Sequence, residues 1–111
     1  MDIPISATGR PAIDVARMAA IRAGEILMAR FHSVKQVSFK GRGNIVTDVD
    51  TAVEEEMFAI LRREYPDMAL LGEESAAGRG DSGYVWIVDP LDGTRNYASG
   101  IPFFSTVVGL A

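Results

Sequence analysis

The chain has 111 residues, enough for one small domain or for part of a larger one. With 15 acidic against 11 basic residues its formal net charge is −4, and the basic residues form no stripe, so nucleic acid is disfavoured as a partner. The chain has no cysteine, which excludes disulfides and thiolate metal sites and leaves oxygen ligands. It shows neither a secretory signal pattern nor an apolar run long enough to cross a bilayer. We therefore expect a cytoplasmic protein without a membrane partner.

Two helices are predicted in the first part of the chain. Residues 11–31 repeat apolar side chains at steps of three and four, which is typical of an amphipathic helix. Its inner stripe is expected to comprise Ile13, Ala16, Ala20, Ala23, Leu27 and Phe31. A second helix is predicted over residues 48–65, because Thr47 and Asp50 have the form of a capping box and Pro66 ends the helix. Its inner face is expected to comprise Val53, Met57, Ile60 and Leu61, and its solvated face Glu54, Glu55 and Glu56.

Short strands are predicted around and after the second helix. Residues 34–46 indicate a β-element broken by the basic loop KGRGN. MALLG (68–72) and YVWIV (84–88) are continuous apolar runs typical of well-covered strands, and the polar loop EESAAGRGDSG separates them. A helical turn near residues 94–98 and a third strand, FFSTVVGLA, follow. Because the chain stops inside that apolar strand, we expect it to be the N-terminal part of a longer protein.

Acidic residues follow the two apolar runs. Glu73 comes directly after MALLG, and Asp89 and Asp92 come directly after YVWIV. If the two strands are neighbours, their ends bring these three carboxylates together, and burying them without compensation would be unfavourable. A divalent cation such as Mg²⁺ removes that penalty and prefers oxygen ligands. Pro90 stiffens the segment, so the Leu91 carbonyl is a further candidate ligand.

The residues after the second aspartate indicate an anion site. Gly93 permits close backbone approach, and the amides of Gly93 and Thr94 at a helix start can bind an anion. Metal-binding carboxylates beside such amides are the combination that phosphate ester chemistry uses. The alternative for this segment is a solvated turn held by an aspartate side chain, which does not explain two acids at the end of an apolar strand.

The sequence WIVDPLDGTRNY, with GEES upstream and IVTDVD before a helix, resembles the inositol monophosphatase family of Mg²⁺-dependent, lithium-sensitive phosphatases. The broader group includes fructose-1,6-bisphosphatases and 3′-phosphoadenosine 5′-phosphate phosphatases. The resemblance implies an α+β fold, a layered α-β-α-β-α sandwich. Residues 1–111 would be the N-terminal part of a single domain of this type. The C-terminal part, with a motif of the WD-x-AAG type that completes the second metal site, is absent from these residues.

The resemblance also implies a metal centre of two or three Mg²⁺ ions. Glu73, Asp89 and the Leu91 carbonyl would hold the first ion, and Asp89 and Asp92 the second. The loop KGRGN resembles the family's mobile metal-site loop, with Lys40 only loosely aligned.

Catalytic and substrate-binding roles follow from the same resemblance. Thr94, paired with Asp50, would orient the attacking water, with Glu73 contributing. The amides of Gly93 and Thr94 would receive the phosphate.

Several of these residues have simpler explanations. Asp50 by itself could be a helix-capping acid, although Asp48 is the expected cap. Glu74 is interpreted as a structural acid, and Arg95 as either a surface residue or a residue that attracts the anion. His32 is expected at the surface, and Trp86 and Tyr97 in the core.

The sequence therefore predicts a metal-dependent phosphomonoesterase acting on inositol monophosphate or a similar sugar or polyol phosphate. Asn96 favours this substrate class, because the nucleotide phosphatases of the group typically have an acidic residue there. Fructose-1,6-bisphosphate and a nucleotide 3′-phosphate are the alternative substrates. The alternative function is an inactive fragment, or a remnant that binds metal or phosphate. The expected partner is a phosphorylated small molecule, and the full-length protein is expected to be a homodimer.

Overall fold

The computed structural model describes residues 3–39, 44–73, 76–77 and 83–111. The three helices of this part are α1 (Ala12–Arg30), α2 (Asp48–Glu64) and α3 (Thr94–Ala98). The strands are β1 (Val37–Phe39), β2 (Ile45–Thr47), β3 (Ala69–Gly72), β4 (Ala76–Ala77), β5 (Val85–Asp92) and β6 (Ser105–Leu110). All the elements predicted from the sequence in these ranges are present. Most of the KGRGN loop, including Lys40, lies outside the described residues, as do Glu74 and most of the polar loop that follows it.

Helix α1 buries the predicted stripe in its second half and a neighbouring stripe in its first half. Its buried residues are Ala12, Val15, Ala19, Ala23 and Leu27. Ile13 is 65% exposed, so its assignment to the inner face was wrong. Ala16 and Ala20 are only partly buried, whereas Phe31 is buried as expected. Ala23 and Leu27 are buried as predicted, whereas the packed face in the first half of the helix is shifted by one residue.

Helix α2 begins with the predicted capping box. The Thr47 side chain accepts a hydrogen bond from the Asp50 amide, and the Asp50 side chain accepts one from the Thr47 amide. Asp48 is therefore not the cap, contrary to expectation. It lies in the first turn, where its carboxylate accepts hydrogen bonds from the Gln36 amide at 2.9 Å and from Arg30 at 2.8 Å. The guanidinium of Arg30 is the largest cause of the lowered pKa of Asp48.

The inner face of α2 includes an acid that was assigned to the solvated face. Val53, Met57 and Leu61 are fully buried, as predicted. Glu54 is also buried, at 3% exposure, so its assignment to the solvated face was wrong. Glu55 is exposed.

A four-stranded sheet has the order β4-β3-β5-β6. Strands β3 and β5 are parallel neighbours, with Gly72 opposite Val88, so the two predicted apolar runs do lie side by side. Strand β6 runs antiparallel to β5. Strands β1 and β2 form a separate antiparallel pair that leads into α2.

Strand β5 is longer than predicted. It continues through the acidic motif to Asp92 instead of ending at residue 88, and its register against β6 shifts between Asp89 and Asp92. Pro90, which has no amide hydrogen to donate, lies within this irregularity. The two aspartates are therefore strand residues on either side of a bulge, rather than parts of a turn.

Helices α1 and α2 cover one face of the sheet. Trp86 and Val88 point toward them and are buried, whereas Ile87 lies on the opposite face and is 44% exposed. Asp89 follows the same alternation and lies on the face of Ile87. Trp86 and Tyr97 belong to the core, as predicted, and His32 is exposed. Within the described part of the chain, none of the helices has both the length and the apolar character that crossing a bilayer demands.

Candidate active site

The Asp50 carboxylate joins the start of α2 to the acidic motif. One oxygen, Oδ1, accepts hydrogen bonds from the Thr47 amide at 2.8 Å and from the Thr47 hydroxyl at 2.5 Å. The other, Oδ2, accepts a hydrogen bond from the Thr94 hydroxyl at 2.9 Å. Asp50 is 2% exposed. Because both oxygens are engaged, the carboxylate is fixed in position and, in turn, fixes the hydroxyl of Thr94.

The pKa of Asp89 is strongly raised. Burial, a hydrogen bond with the Glu73 side chain, and the charges of Glu73 and Asp92 raise the pKa of Asp89 from 3.8 to about 6. A backbone hydrogen bond from Leu91 opposes this shift. Glu73 reaches Asp89 because it follows β3 directly, and β3 is the parallel neighbour of β5. The structure thus brings these two predicted ligands together.

Gly93 makes the sharp change of direction from β5 into α3. Its φ of +95° is left-handed, and a Cβ at this position would lie 3.0 Å from the Phe103 carbonyl oxygen. Both the conformation and the space therefore require glycine. This turn places Thr94 at the first residue of α3, with its hydroxyl 3.3 Å from the Leu91 carbonyl oxygen.

A cavity of about 300 Å³ lies where these segments meet. Its lining comprises Asn44, Ile45, Glu73, Asp89, Leu91, Asp92, Gly93, Thr94 and Arg95. All the predicted site residues line it except Asp50, which touches it through Thr94. Of the three segments that build the cavity, one directly follows β3, one is the end of β5 with the turn into α3, and one is the start of β2.

The sequence profile of the inositol monophosphatase family matches residues 9–111. The chain belongs to the inositol monophosphatase family. It is 39% identical over 100 residues to a fructose-1,6-bisphosphatase/inositol-1-monophosphatase of Aquifex aeolicus, and 41% identical over 102 residues to inositol monophosphatase 3 of Solanum lycopersicum; each match covers 88% of this chain. Among solved structures, the extragenic suppressor protein suhB from Bartonella henselae superposes with a TM-score of 0.84 at 39% identity, over 88% of this chain.

The chain spans 38% of the length of those two relatives and 39% of the solved chain. The described helices and strands are therefore the N-terminal part of the inositol monophosphatase fold, as the sequence predicted. The α+β class is likewise confirmed.

The cavity has oxygen donors of the kind that hold a hard metal ion. Asp89 Oδ1 is buried and accepts no hydrogen bond from the described residues, which leaves an oxygen ready for a cation. Within the described ranges, no three His, Cys, Asp or Glu side chains are close enough to share one ion. The predicted first site needs only two carboxylates and the Leu91 carbonyl, and such oxygen donors suit a hard cation. The donor set therefore fits Mg²⁺ at the first site.

Asn44 and Ile45 also line the cavity. Asn44 is the last residue of the KGRGN loop, which resembles the family's metal-site loop in sequence, whereas sequence reasoning missed Ile45. Arg95 is exposed and lines the cavity.

Proposed function

We propose that the complete protein is a metal-dependent phosphomonoesterase that hydrolyses inositol monophosphate or a similar sugar or polyol phosphate. The observation that carries this proposal is the convergence in one cavity of paired carboxylates, Glu73 and Asp89, with the hydroxyl of Thr94. Family membership supports phosphatase chemistry at that cavity.

The proposed metal is Mg²⁺, with two or three ions in the complete protein. Glu73, Asp89 and the Leu91 carbonyl would hold the first ion, and Asp89 and Asp92 would contribute to the second. When bound, Mg²⁺ neutralises phosphate oxygens and lowers the pKa of a water molecule. Burial is the largest cause of the raised pKa of Asp89, and the hydrogen bond with Glu73 and the charges of Glu73 and Asp92 add to it. A cation beside Asp89 would offset the unfavourable burial and repulsion of its charge.

Thr94 is proposed to orient the attacking water. Its hydroxyl proton is directed to Asp50 Oδ2, so its oxygen lone pairs remain available to accept a hydrogen bond from water. Glu73, on the same cavity, would help to hold that water. The backbone amides of Gly93 and Thr94 would donate hydrogen bonds to the phosphate. Gly93 precedes the first residue of α3, so these amides lie at the start of that helix.

The remaining proposals concern the protein's surroundings. We infer a phosphorylated small molecule as partner, a homodimer of the complete protein, and a cytoplasmic location, without nucleic acid or membrane partners. The acidic net charge of −4 supports the absence of a nucleic-acid surface.

A substrate panel on the complete protein tests the function. Inositol 1-phosphate, fructose 1,6-bisphosphate and a nucleoside 3′-phosphate would be compared, each with Mg²⁺ and with a chelator. We expect Mg²⁺-dependent phosphate release, fastest from inositol 1-phosphate. A faster rate on either other substrate would change the proposed substrate, and the absence of Mg²⁺-dependent release from all three would refute the phosphatase proposal.

A second candidate applies to the 111-residue chain by itself: binding of metal or phosphate without turnover. The observation that favours it is the absence, within the described ranges, of three acidic side chains gathered around one point. Calorimetry with Mg²⁺ alone, beside the phosphatase assay, distinguishes binding without turnover from catalysis.

A further inference from the structure

Glu54 is a buried acid that the proposed mechanism does not use. It lies on α2 and is 3% exposed, whereas its neighbour Glu55 is exposed. Acidic side chains are almost never buried to this extent unless the surroundings compensate their charge, since removing a carboxylate from water is unfavourable. The burial of Glu54 therefore requires a specific reason.

The Glu54 carboxylate packs directly against the backbone of Gly72. A Cβ at Gly72 would lie 2.5 Å from both Cδ and Oε2 of Glu54, and 2.9 Å from Oε1. The carboxylate thus occupies the volume that a side chain at position 72 would fill. Gly72 does not have a positive φ, so glycine is needed here for the close approach of Glu54 and not for the backbone conformation.

This contact lies beside the candidate active site. Gly72 is the last residue of β3, is paired with Val88 of β5, and immediately precedes Glu73. Asp50, one helical turn before Glu54 on α2, holds Thr94. Helix α2 therefore contacts two of the three segments that build the cavity: the start of α3 through Asp50, and the end of β3 through Glu54.

We propose that Glu54 is a positioning residue that fixes the end of β3, so that Glu73 is held against Asp89 at the metal site. This inference rests on the proposed function only for its consequence in metal binding and catalysis. Its structural content, the fixing of the β3 terminus by the Glu54 carboxylate, can be tested separately.

Four single variants of the complete protein test the proposal. Glu54→Ala removes the carboxylate, and Glu54→Gln keeps its volume and one oxygen acceptor. Gly72→Ala keeps Glu54 but displaces its carboxylate. Glu55→Ala is the matched control on the exposed side of α2. Mg²⁺ affinity by calorimetry, kcat and KM, melting temperature, and amide hydrogen exchange over residues 69–73 would be measured for each.

We expect Glu54→Ala and Gly72→Ala to weaken Mg²⁺ binding about tenfold or more, the range typical for residues that support metal ligands. Both should lower kcat more than they change KM, and both should accelerate amide exchange at the end of β3. Glu54→Gln should restore most of the Mg²⁺ affinity, and Glu55→Ala should match the parent in every measurement.

A lower melting temperature for Glu54→Ala with parental Mg²⁺ affinity and kcat would mean that Glu54 only stabilises the fold, and would overturn the proposal. If Glu54→Ala does not fold, Gly72→Ala tests the proposal by the same criteria. If the parent neither binds Mg²⁺ nor releases phosphate, the proposed function has failed. The positioning claim then depends on the exchange rates alone, and unchanged exchange in Glu54→Ala would overturn it too.

Discussion

Thr94 donates a 2.9 Å hydrogen bond to Oδ2 of Asp50, although the two residues are 44 positions apart in the chain. The bond joins the first turn of α2 to the first residue of α3. It directs the Thr94 proton away from the cavity, which leaves the hydroxyl oxygen as an acceptor.

Thr94→Ala in the complete protein should lower kcat by about a hundredfold or more and change phosphate affinity little, because the backbone amides remain. Thr94→Ser keeps the hydroxyl and should retain most of the activity. Steady-state kinetics with product inhibition by phosphate measure both effects. A rise in KM with unchanged kcat would show that Thr94 only binds substrate.

Asp89→Asn should reduce phosphatase activity to below about a tenth of the parent rate at saturating Mg²⁺, because the proposed ligand loses its charge. The variant should retain the parent fold.

The pKa of Asp89 is raised to about 6 from 3.8, so the ionised side chain destabilises the metal-free fold above pH 6. This destabilisation disappears as the pH falls toward 3.8.

The metal-free Asp89→Asn variant should therefore melt at or above the parent temperature near neutral pH, and lose this advantage as the pH falls to about 4. Differential scanning calorimetry with a chelator measures the comparison. A variant that melts well below the parent at neutral pH would contradict the raised pKa.

Glu64 should make stability depend on pH. Its carboxylate is 2% exposed and accepts hydrogen bonds from the hydroxyls of Thr8 and Ser6, which join residues 3–10 to the end of α2. The Thr8 hydrogen bond is the largest cause of the lowered pKa of Glu64, and burial opposes it. This stabilisation is present above the unfolded pKa of 4.5 and is lost as the pH falls through the lower folded value.

Glu64→Gln should consequently lower the melting temperature near neutral pH, and the difference from the parent should shrink as the pH falls below 4.5. Melting curves across this range give the measurement. A difference that is constant with pH would show that packing, and not the charge, accounts for the effect of Glu64.

Gly93→Ala should destabilise the protein more than Gly100→Ala. Both glycines have a positive φ, 95° and 75°, so each substitution incurs the left-handed penalty of about 1–2 kcal/mol. A Cβ at Gly93 also meets the Phe103 carbonyl oxygen at 3.0 Å, whereas nothing lies within 4 Å at Gly100. Urea unfolding of the two variants tests the difference, and equal losses would mean that the close approach at Gly93 is unimportant.

The 111-residue chain on its own should self-associate and show no meaningful turnover. Leu71, Ile87 and Val107 lie on the sheet face opposite the helices and are 46%, 44% and 51% exposed. Light scattering should give a mass above that of a monomer, and Ile87→Thr should lower it. Ile21→Thr, at a 58% exposed site on α1, is the control and should not. A monomer that hydrolyses inositol 1-phosphate within tenfold of the complete protein would contradict both expectations.

Local patterns predicted the features that depend on neighbouring residues. The Thr47–Asp50 capping box and the turn of helix after Gly93 were found because each is set by residues close in sequence. The adjacency of β3 and β5 was predicted only as a condition for the carboxylates to meet, and the structure satisfies it.

Features that depend on tertiary packing were missed. Glu54 and Glu55 are adjacent residues of the same type, so the sequence does not distinguish them. Glu54 is buried because β3 packs against its side of α2. Ile13 was assigned inward because the alanine-rich α1 allows two stripes, and the sheet selects the other. The length of β5 was underestimated because a proline usually indicates the end of a strand. The bulge between Asp89 and Asp92 accommodates Pro90 within β5.

The capping box also affects how changes among relatives should be interpreted. The Asp50 carboxylate caps the start of α2 and also binds the Thr94 hydroxyl. A relative that has lost all activity would therefore still be under selection to retain Asp50 for folding. Burial raises the pKa of Asp89 most, and Glu73 and Asp92 raise it further, so these two acids destabilise the metal-free fold. Their retention is therefore better evidence of a working enzyme than the retention of Asp50, and their loss with Asp50 intact would identify a pseudoenzyme.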